Sequence, residues 1–225
     1  MLSVARRPLS AAVPAGNLLG IHLFKCPDTV GIVAKLSERI ASRGGNIHSV
    51  DVFVPDDKHV FYSRSEFTYN PKLWPRDELH KDFLDLSHYF SAQRSTVRVP
   101  DLDPKYKISV LASKQILSES FLQSYGKDII NIHHGLLPSF KGGHPSRQAF
   151  NAGVKLIGAT SHFVTTELDA GPIIEQMVER VSHRDTLQSF VVKSENLEKQ
   201  CLAEAIKSYC ELRVLPYELK KTVVF

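Results

Sequence analysis

The chain has 225 residues, 43% hydrophobic and 23% charged, a globular balance that excludes a mainly disordered protein. No apolar run reaches the ~18–20 residues of a membrane-spanning helix, and Cys26, Cys201 and Cys210 lack the spacing of a disulfide scaffold or a zinc ribbon and fit a reducing compartment. The net charge of +4 is mostly N-terminal: residues 1–27 hold Arg6, Arg7 and Lys25 and no acid, leaving 25 basic against 24 acidic residues from position 28 on and no excess from which to build a nucleic-acid surface.

Met1 to Gly20 combines two arginines with small residues, Ser3 and Ser10, and has no Asp or Glu. That is the composition of an organellar transit peptide, because a membrane potential negative inside draws a positive helix across. The expectation is a leader over 1–18 with a mitochondrial address, plastid and cytoplasm being the alternatives. The same composition also suits a plain tail.

Leu19 to Lys25 reads as a strand. Pro27-Asp28-Thr29 is a turn in which Asp28 or Thr29 can cap a helix, and Ile32, Val33, Leu36 and Ile40 follow at helical spacing. Gly44-Gly45 ends that helix. Ile47 to Val54 and Val60 to Tyr69 form an antiparallel pair about the Pro55–Lys58 turn. A second helix starts near Pro75, with Leu79, Phe83, Leu86 and Phe90 on one face, and Ser95 to Val99 is a closing strand. The order βαββαβ over residues 19–100 is the ferredoxin-like arrangement. The two prolines of Pro100–Pro104 mark a linker, placed at 101–105.

The second module spans 106–225. Tyr106 to Ser113 is a nearly continuous apolar run, suited to a strand buried on both faces. A helix is expected within Ile116–Tyr125, then a strand over Asp128–His133, a loop over Gly135–Gly143 and a short helix over Pro145–Asn151. Strands over Leu156–Val164 and Ile173–Val181 follow, then a last helix with Leu197, Cys201, Leu202, Ala205, Ile206 and Tyr209 on one face. This pattern is α/β, a doubly wound sheet.

Chemistry concentrates in two segments, Asn131-Ile-His133-His134-Gly-Leu-Leu-Pro-Ser139 and Gly158–Val164 with Glu167-Leu-Asp169-Ala-Gly171-Pro. Residues two apart on a strand point the same way, so Asn131 and His133 share a cleft, an amide donor for an oxyanion beside an imidazole that can move a proton. His134 points the opposite way, which argues against a shared metal. Asp169, on a loop between strands, is placed to return to the same cleft. Plainer roles suit each residue singly: a strand cap for Asn131, a core histidine for His133, a turn for Asp169.

The first module, with Cys26-Pro-Asp28-Thr-Val-Gly31-Ile-Val33 at its first turn, resembles an ACT domain. The two segments of the second module resemble the core motifs of the folate-dependent formyltransferases, and an ACT-like module in front resembles that family's formyltetrahydrofolate deformylase branch. The resemblance implies hydrolysis of 10-formyltetrahydrofolate to formate and tetrahydrofolate, within one-carbon metabolism serving purine synthesis and photorespiratory-type glycine metabolism. It implies Asn131, His133 and Asp169 as catalytic residues, and Ile116, Leu117, His162, Val164 and Gly171 around the substrate. An amino-acid effector at Asp28 and Gly31 and a homo-oligomer are also implied. The expectation is no cofactor and no metal beyond the folate substrate, and no nucleic acid or membrane as partner.

One spacing departs from that family. Only 17 residues separate Ser113 from Asn131, whereas each βαβ unit takes ~30 or more. One short crossover helix fits. The catalytic module therefore reads as truncated by an internal deletion near Gln115-Ile116, with the strands numbered 1 and 4 of a 3-2-1-4 sheet left as neighbours. This spacing motivates one alternative to hydrolysis, a catalytically impaired isoform serving as an ACT-mediated binding or assembly subunit; a second, transfer of the formyl group to an amine, is disfavoured by the ACT-like module.

Overall fold

The computed structural model describes residues 13–104, 109–111, 117–218 and 220–225. The first twelve residues of the expected leader, the ends of the Tyr106–Ser113 strand and Ile116 lie outside the described residues. The chain divides into two compact units, Met1–Lys105 and Tyr106–Phe225.

The first unit runs β1 (Leu18–Pro27), α1 (Ile32–Ser42), β2 (Asn46–Phe53), β3 (Val60–Tyr69), α2 (Arg76–Tyr89) and β4 (Arg94–Arg98). Its sheet has the order β2-β3-β1-β4 with every pair antiparallel, the ferredoxin-like topology expected from the βαββαβ order. Phe24 and Cys26 of β1 and Phe67 and Tyr69 of β3 sit two apart on one face and meet Ile32, Leu36, Ile40, Leu79, Phe83 and Leu86 from the helices, all buried. The helical spacing of those six residues in the sequence is what puts them there. Asp82, on the same buried side of α2, clasps the two helices: it accepts from Arg39 Nη1 at 2.7 Å, Arg43 Nε at 2.8 Å and Trp74 Nε1 at 2.9 Å.

One expectation is corrected here. Neither Asp28 nor Thr29 caps α1: the N-cap position is Gly31 at φ +93°, with no side-chain cap. A cap must immediately precede the helix to reach its first free N–H groups, and Asp28 and Thr29 stand too far ahead. Instead the Asp28 N–H donates to the His59 carbonyl. Within the linker, Asp103 is tied to the first unit. The Asp103 carboxylate accepts from Arg76 at 2.8 Å and from the Val99 N–H at 2.8 Å, folding Pro100–Asp103 back onto the first unit.

The second unit contains β5 (Ser109–Leu111), α3 (Glu119–Tyr125), β6 (Ile129–His133), α4 (Pro145–Asn151), β7 (Leu156–Phe163), β8 (Ile173–Arg180) and α5 (Leu187–Cys210). The sheet order is β5-β6-β7-β8. β5 and β6 are parallel neighbours joined through α3, the one-helix crossover that the short spacing allows, while β6-β7 and β7-β8 are antiparallel. α3 is capped at Ser118, whose hydroxyl accepts from the Phe121 N–H, and ends at Gly126 with φ +60°. α5 lays Cys201 and Ala205 on Ile130, Ile132, Ala159, Phe163 and Ile174, burying one face of the β6-β7-β8 sheet. A terminal hairpin, β9 (Val214–Tyr217) and β10 (Lys221–Val224), was not expected. Pro216 within β9 removes a ladder donor and reads against a strand.

Candidate active site

Antiparallel register brings the site together. Asn131 and His133 of β6 stand opposite His162 and Thr160 of β7, and directly opposed side chains on one face of such a pair are in contact range. Asn131 Nδ2 lies 3.3 Å from His162 Nε2. His162 Nδ1 lies 2.9 Å from the Phe163 carbonyl oxygen. A carbonyl can only accept, so Nδ1 carries the proton of neutral His162 and Nε2 accepts from the Asn131 amide. The Asn131 side chain is thereby oriented, with its second N–H free of this bond.

The same reasoning fixes His133. Its Nε2 is 3.0 Å from the Phe140 carbonyl and therefore donates, which turns Nδ1 toward Asp169 Oδ2 at 3.4 Å. Asp169 Oδ1 is 3.9 Å from His162 Nε2, and Oδ2 accepts from the Gly142 N–H at 2.9 Å. Both imidazoles are buried. Burial pushes His133 below the ordinary histidine range, with Asp169 and the Phe140 carbonyl opposing, and burial likewise lowers His162. Both rings are thus held neutral near pH 7.

The two loops that carry these partners, β6–α4 and β7–β8, are tightly specified. Phe140, His144 and Asp169 all have left-handed backbones, at φ +56°, +54° and +50°, an uncommon conformation for non-glycine residues that concentrates at functional sites. Asp169 tolerates it through its short polar side chain. Gln148 Nε2 donates to the Lys141 and Gly143 carbonyls. Beneath, the fully buried Thr160 hydroxyl donates to the Gly135 carbonyl at 2.7 Å and accepts from the Leu137 N–H at 3.1 Å. Gln176 Nε2 reaches both Thr160 and the Leu137 carbonyl.

These groups open onto a cavity of about 280 Å³, lined by Leu117, Asn131, His133, His162, Val164 and Asp169 among others. Of the expected substrate contacts, Leu117, His162 and Val164 line it. Gly171 is not among its lining residues; a Cβ there would run into the Phe163 carbonyl oxygen, so its absence lets the Asp169 loop pass close over the end of β7. Asp28 lies in an exposed turn and Gly31 at the following cap, both within the first unit. Gln176 was not singled out in the sequence, and Thr160 carried no role of its own within the Gly158–Val164 segment; its signal was its place two residues before His162 on one strand face. Among the described residues no group of His, Cys, Asp and Glu is arranged to hold a metal ion.

Residues 91–206 match the formyl transferase family model. The chain is 51% identical to formyltetrahydrofolate deformylase 2, mitochondrial, of Arabidopsis thaliana, over 96% of this chain and 90% of that protein. That alignment runs over 295 positions against 225 residues here, so at least 70 positions of the relative face gaps in this chain. The crystal structure of a formyltetrahydrofolate deformylase from Pseudomonas syringae superposes with a TM-score of 0.83 at 28% identity, over 96% of this chain and 97% of that one. A phosphoribosylglycinamide formyltransferase from Anaplasma phagocytophilum matches at TM-score 0.50 and 37% identity, over 52% of this chain and 57% of that one.

Proposed function

The chain belongs to the formyltetrahydrofolate deformylases, within the formyl transferase family, and on that premise we propose that it hydrolyses 10-formyltetrahydrofolate to formate and tetrahydrofolate. The observation that carries the reading is the group of Asn131, His133, His162 and Asp169 on one cavity wall, with Asn131 hydrogen-bonded to His162 and both imidazoles within 4 Å of the Asp169 carboxylate.

The steps follow from what each group can do. The Asp169 carboxylate orients a water for attack on the formyl carbon. Neutral His133 takes the water proton at Nδ1, the nitrogen not committed to Phe140. The imidazolium so formed lies against Asp169, whose charge offsets the cost of ionising a buried ring. The N–H of Asn131 not used by His162 donates to the oxygen of the tetrahedral intermediate, where charge develops. His133 then delivers its proton to N10 as the C–N bond breaks, leaving formate and tetrahydrofolate. No cofactor enters these steps, and His162 acts by holding Asn131.

The remaining assignments extend the same reading. The ferredoxin-like unit serves as an ACT domain that assembles a homo-oligomer and takes an amino-acid effector at the Asp28–Gly31 turn. The acid-free residues 1–27 and the mitochondrial label of the Arabidopsis relative support a mitochondrial address. Product serves one-carbon supply to purine synthesis. Formate release from 10-formyltetrahydrofolate by the purified chain tests the central claim; a folded chain with no release above the Asp169→Asn variant would refute it.

A further inference from the structure

His134 is not used in the steps above, yet its position is closely controlled. It follows His133 in sequence and lines the reacting cavity, but it also lines a second, groove-like space of about 470 Å³ between α4 and α5, shared with His144, Pro145, Arg147, Val191 and Glu198. His144 and Pro145 line both spaces with it. The His134 Nδ1 is 2.7 Å from Glu198 Oε1, and the Glu198 side chain is only 15% exposed. Ser194 Oγ lies within 3.5 Å of both Glu198 Oε1 and the His134 carbonyl. The His134 side chain is itself half-exposed, and the short bond to a mostly buried carboxylate is what holds its ring in place.

We propose that His134, latched by Glu198, is a specificity-determining partition that closes the reacting cavity against the α4–α5 groove and leaves water as the acceptor of the formyl group. The proposal rests on the hydrolytic reading. A primary amine is the better nucleophile, and the groove has room for one. Without the ring, the two spaces merge beside the formyl carbon. An amine reaching it forms the new C–N bond, the N10–C bond breaks, and the amine proton passes through His133 to N10. The products are then an N-formyl amine and tetrahydrofolate in place of formate and tetrahydrofolate. Water is small enough to enter with the partition in place.

The test compares the full chain with His134→Ala, His134→Gln and Glu198→Ala variants, each given 10-formyltetrahydrofolate with and without glycinamide. Formate and N-formylglycinamide are quantified, and a thermal melt records folding. The chain itself and His134→Gln, which keeps a donor to Glu198 and most of the bulk, should yield formate alone. In His134→Ala and Glu198→Ala, about a tenth or more of turnover should divert to N-formylglycinamide, rising with amine concentration, a discrimination of the size that filling one small pocket supplies. An unchanged product ratio in either folded variant that still releases formate overturns the partition and spares the hydrolytic reading. Formylation of glycinamide by the unaltered chain also overturns it. No formate from the unaltered chain overturns the hydrolytic reading and this proposal with it.

Discussion

Replacing Asp169 by Asn isolates charge from shape. Asparagine is nearly isosteric and is among the few residues that accept a left-handed backbone, so φ +50° at this position is retained. Its carbonyl can still accept from the Gly142 N–H, which now bonds Asp169 Oδ2 at 2.9 Å. What is lost is the negative charge 3.4 Å from His133 Nδ1. At an effective dielectric constant of ~20, unit charges at that separation attract by roughly 5 kcal/mol, a factor of 10³–10⁴ in rate if His133 becomes fully charged in the transition state. The expected outcome is a kcat for formate release lowered by about that factor, with the melting temperature within a few degrees of the unaltered chain, a shift of about 1 kcal/mol or less. The pH profile supplies a second readout. His133 must be neutral to accept a proton, and burial already places its pKa below the ordinary value, so activity should hold below pH 6.5 before falling. Asp169 raises that pKa, so removing its charge should move the acid limb of the residual activity to still lower pH. A kcat within tenfold of the original, or an acid limb displaced upward, would refute the reasoning.

Three further outcomes follow from the same structure. Thr160→Val keeps the shape but strips the hydroxyl from the Gly135 carbonyl, the Leu137 N–H and Gln176; leaving those buried groups unpaired should cost roughly 2–4 kcal/mol in urea unfolding, and loss below 0.5 kcal/mol would argue against the hydroxyl as a hub. His162→Gln should lower kcat more than it raises KM, because it disturbs the orientation of Asn131; a pure KM effect would instead mark a substrate contact. Fully buried His22, whose ring centroid lies 4.2 Å from that of Phe83, has its pKa lowered to about 3. The unfolded chain binds a proton at His22 below pH ~6.5 while the folded chain does not, so stability should fall as pH drops from 6.5 toward 3, by roughly 4–5 kcal/mol in all. Urea midpoints followed by the single, buried Trp74 should show that slope, and His22→Leu should flatten it.

The sequence carried the fold because hydrophobic spacing survives in both units. Ile32, Leu36 and Ile40, and Leu79, Phe83 and Leu86, are buried as their period requires. Boundaries set by backbone alone were harder. Gly31 takes the cap position of α1 through its left-handed φ, which composition does not announce when Asp28 and Thr29 stand just before it. The β9–β10 hairpin is hidden by Pro216, since its stability comes from Val214 and Val223 packing in the second unit rather than from local propensity.

At the site, residue types were legible and their pairings were not. Period two on β6 placed Asn131 and His133 on one side, and both line the cavity. Which nitrogen of His133 is free, however, depends on a carbonyl seven residues ahead in a left-handed turn at Phe140, and the orientation of Asn131 depends on a register that pairs it with His162. Neither is encoded in local pattern. Every reacting group comes from β6, the loop after it, β7 or the Asp169 turn, all following the short Ser113–Asn131 stretch in which the sequence places its deletion. The framework of the chemistry, Thr160 and Gln176 included, is therefore built wholly from the chain that remains. That is why a sheet reduced to β5-β6-β7-β8 can still hold two histidines, an asparagine and an aspartate in bonding register.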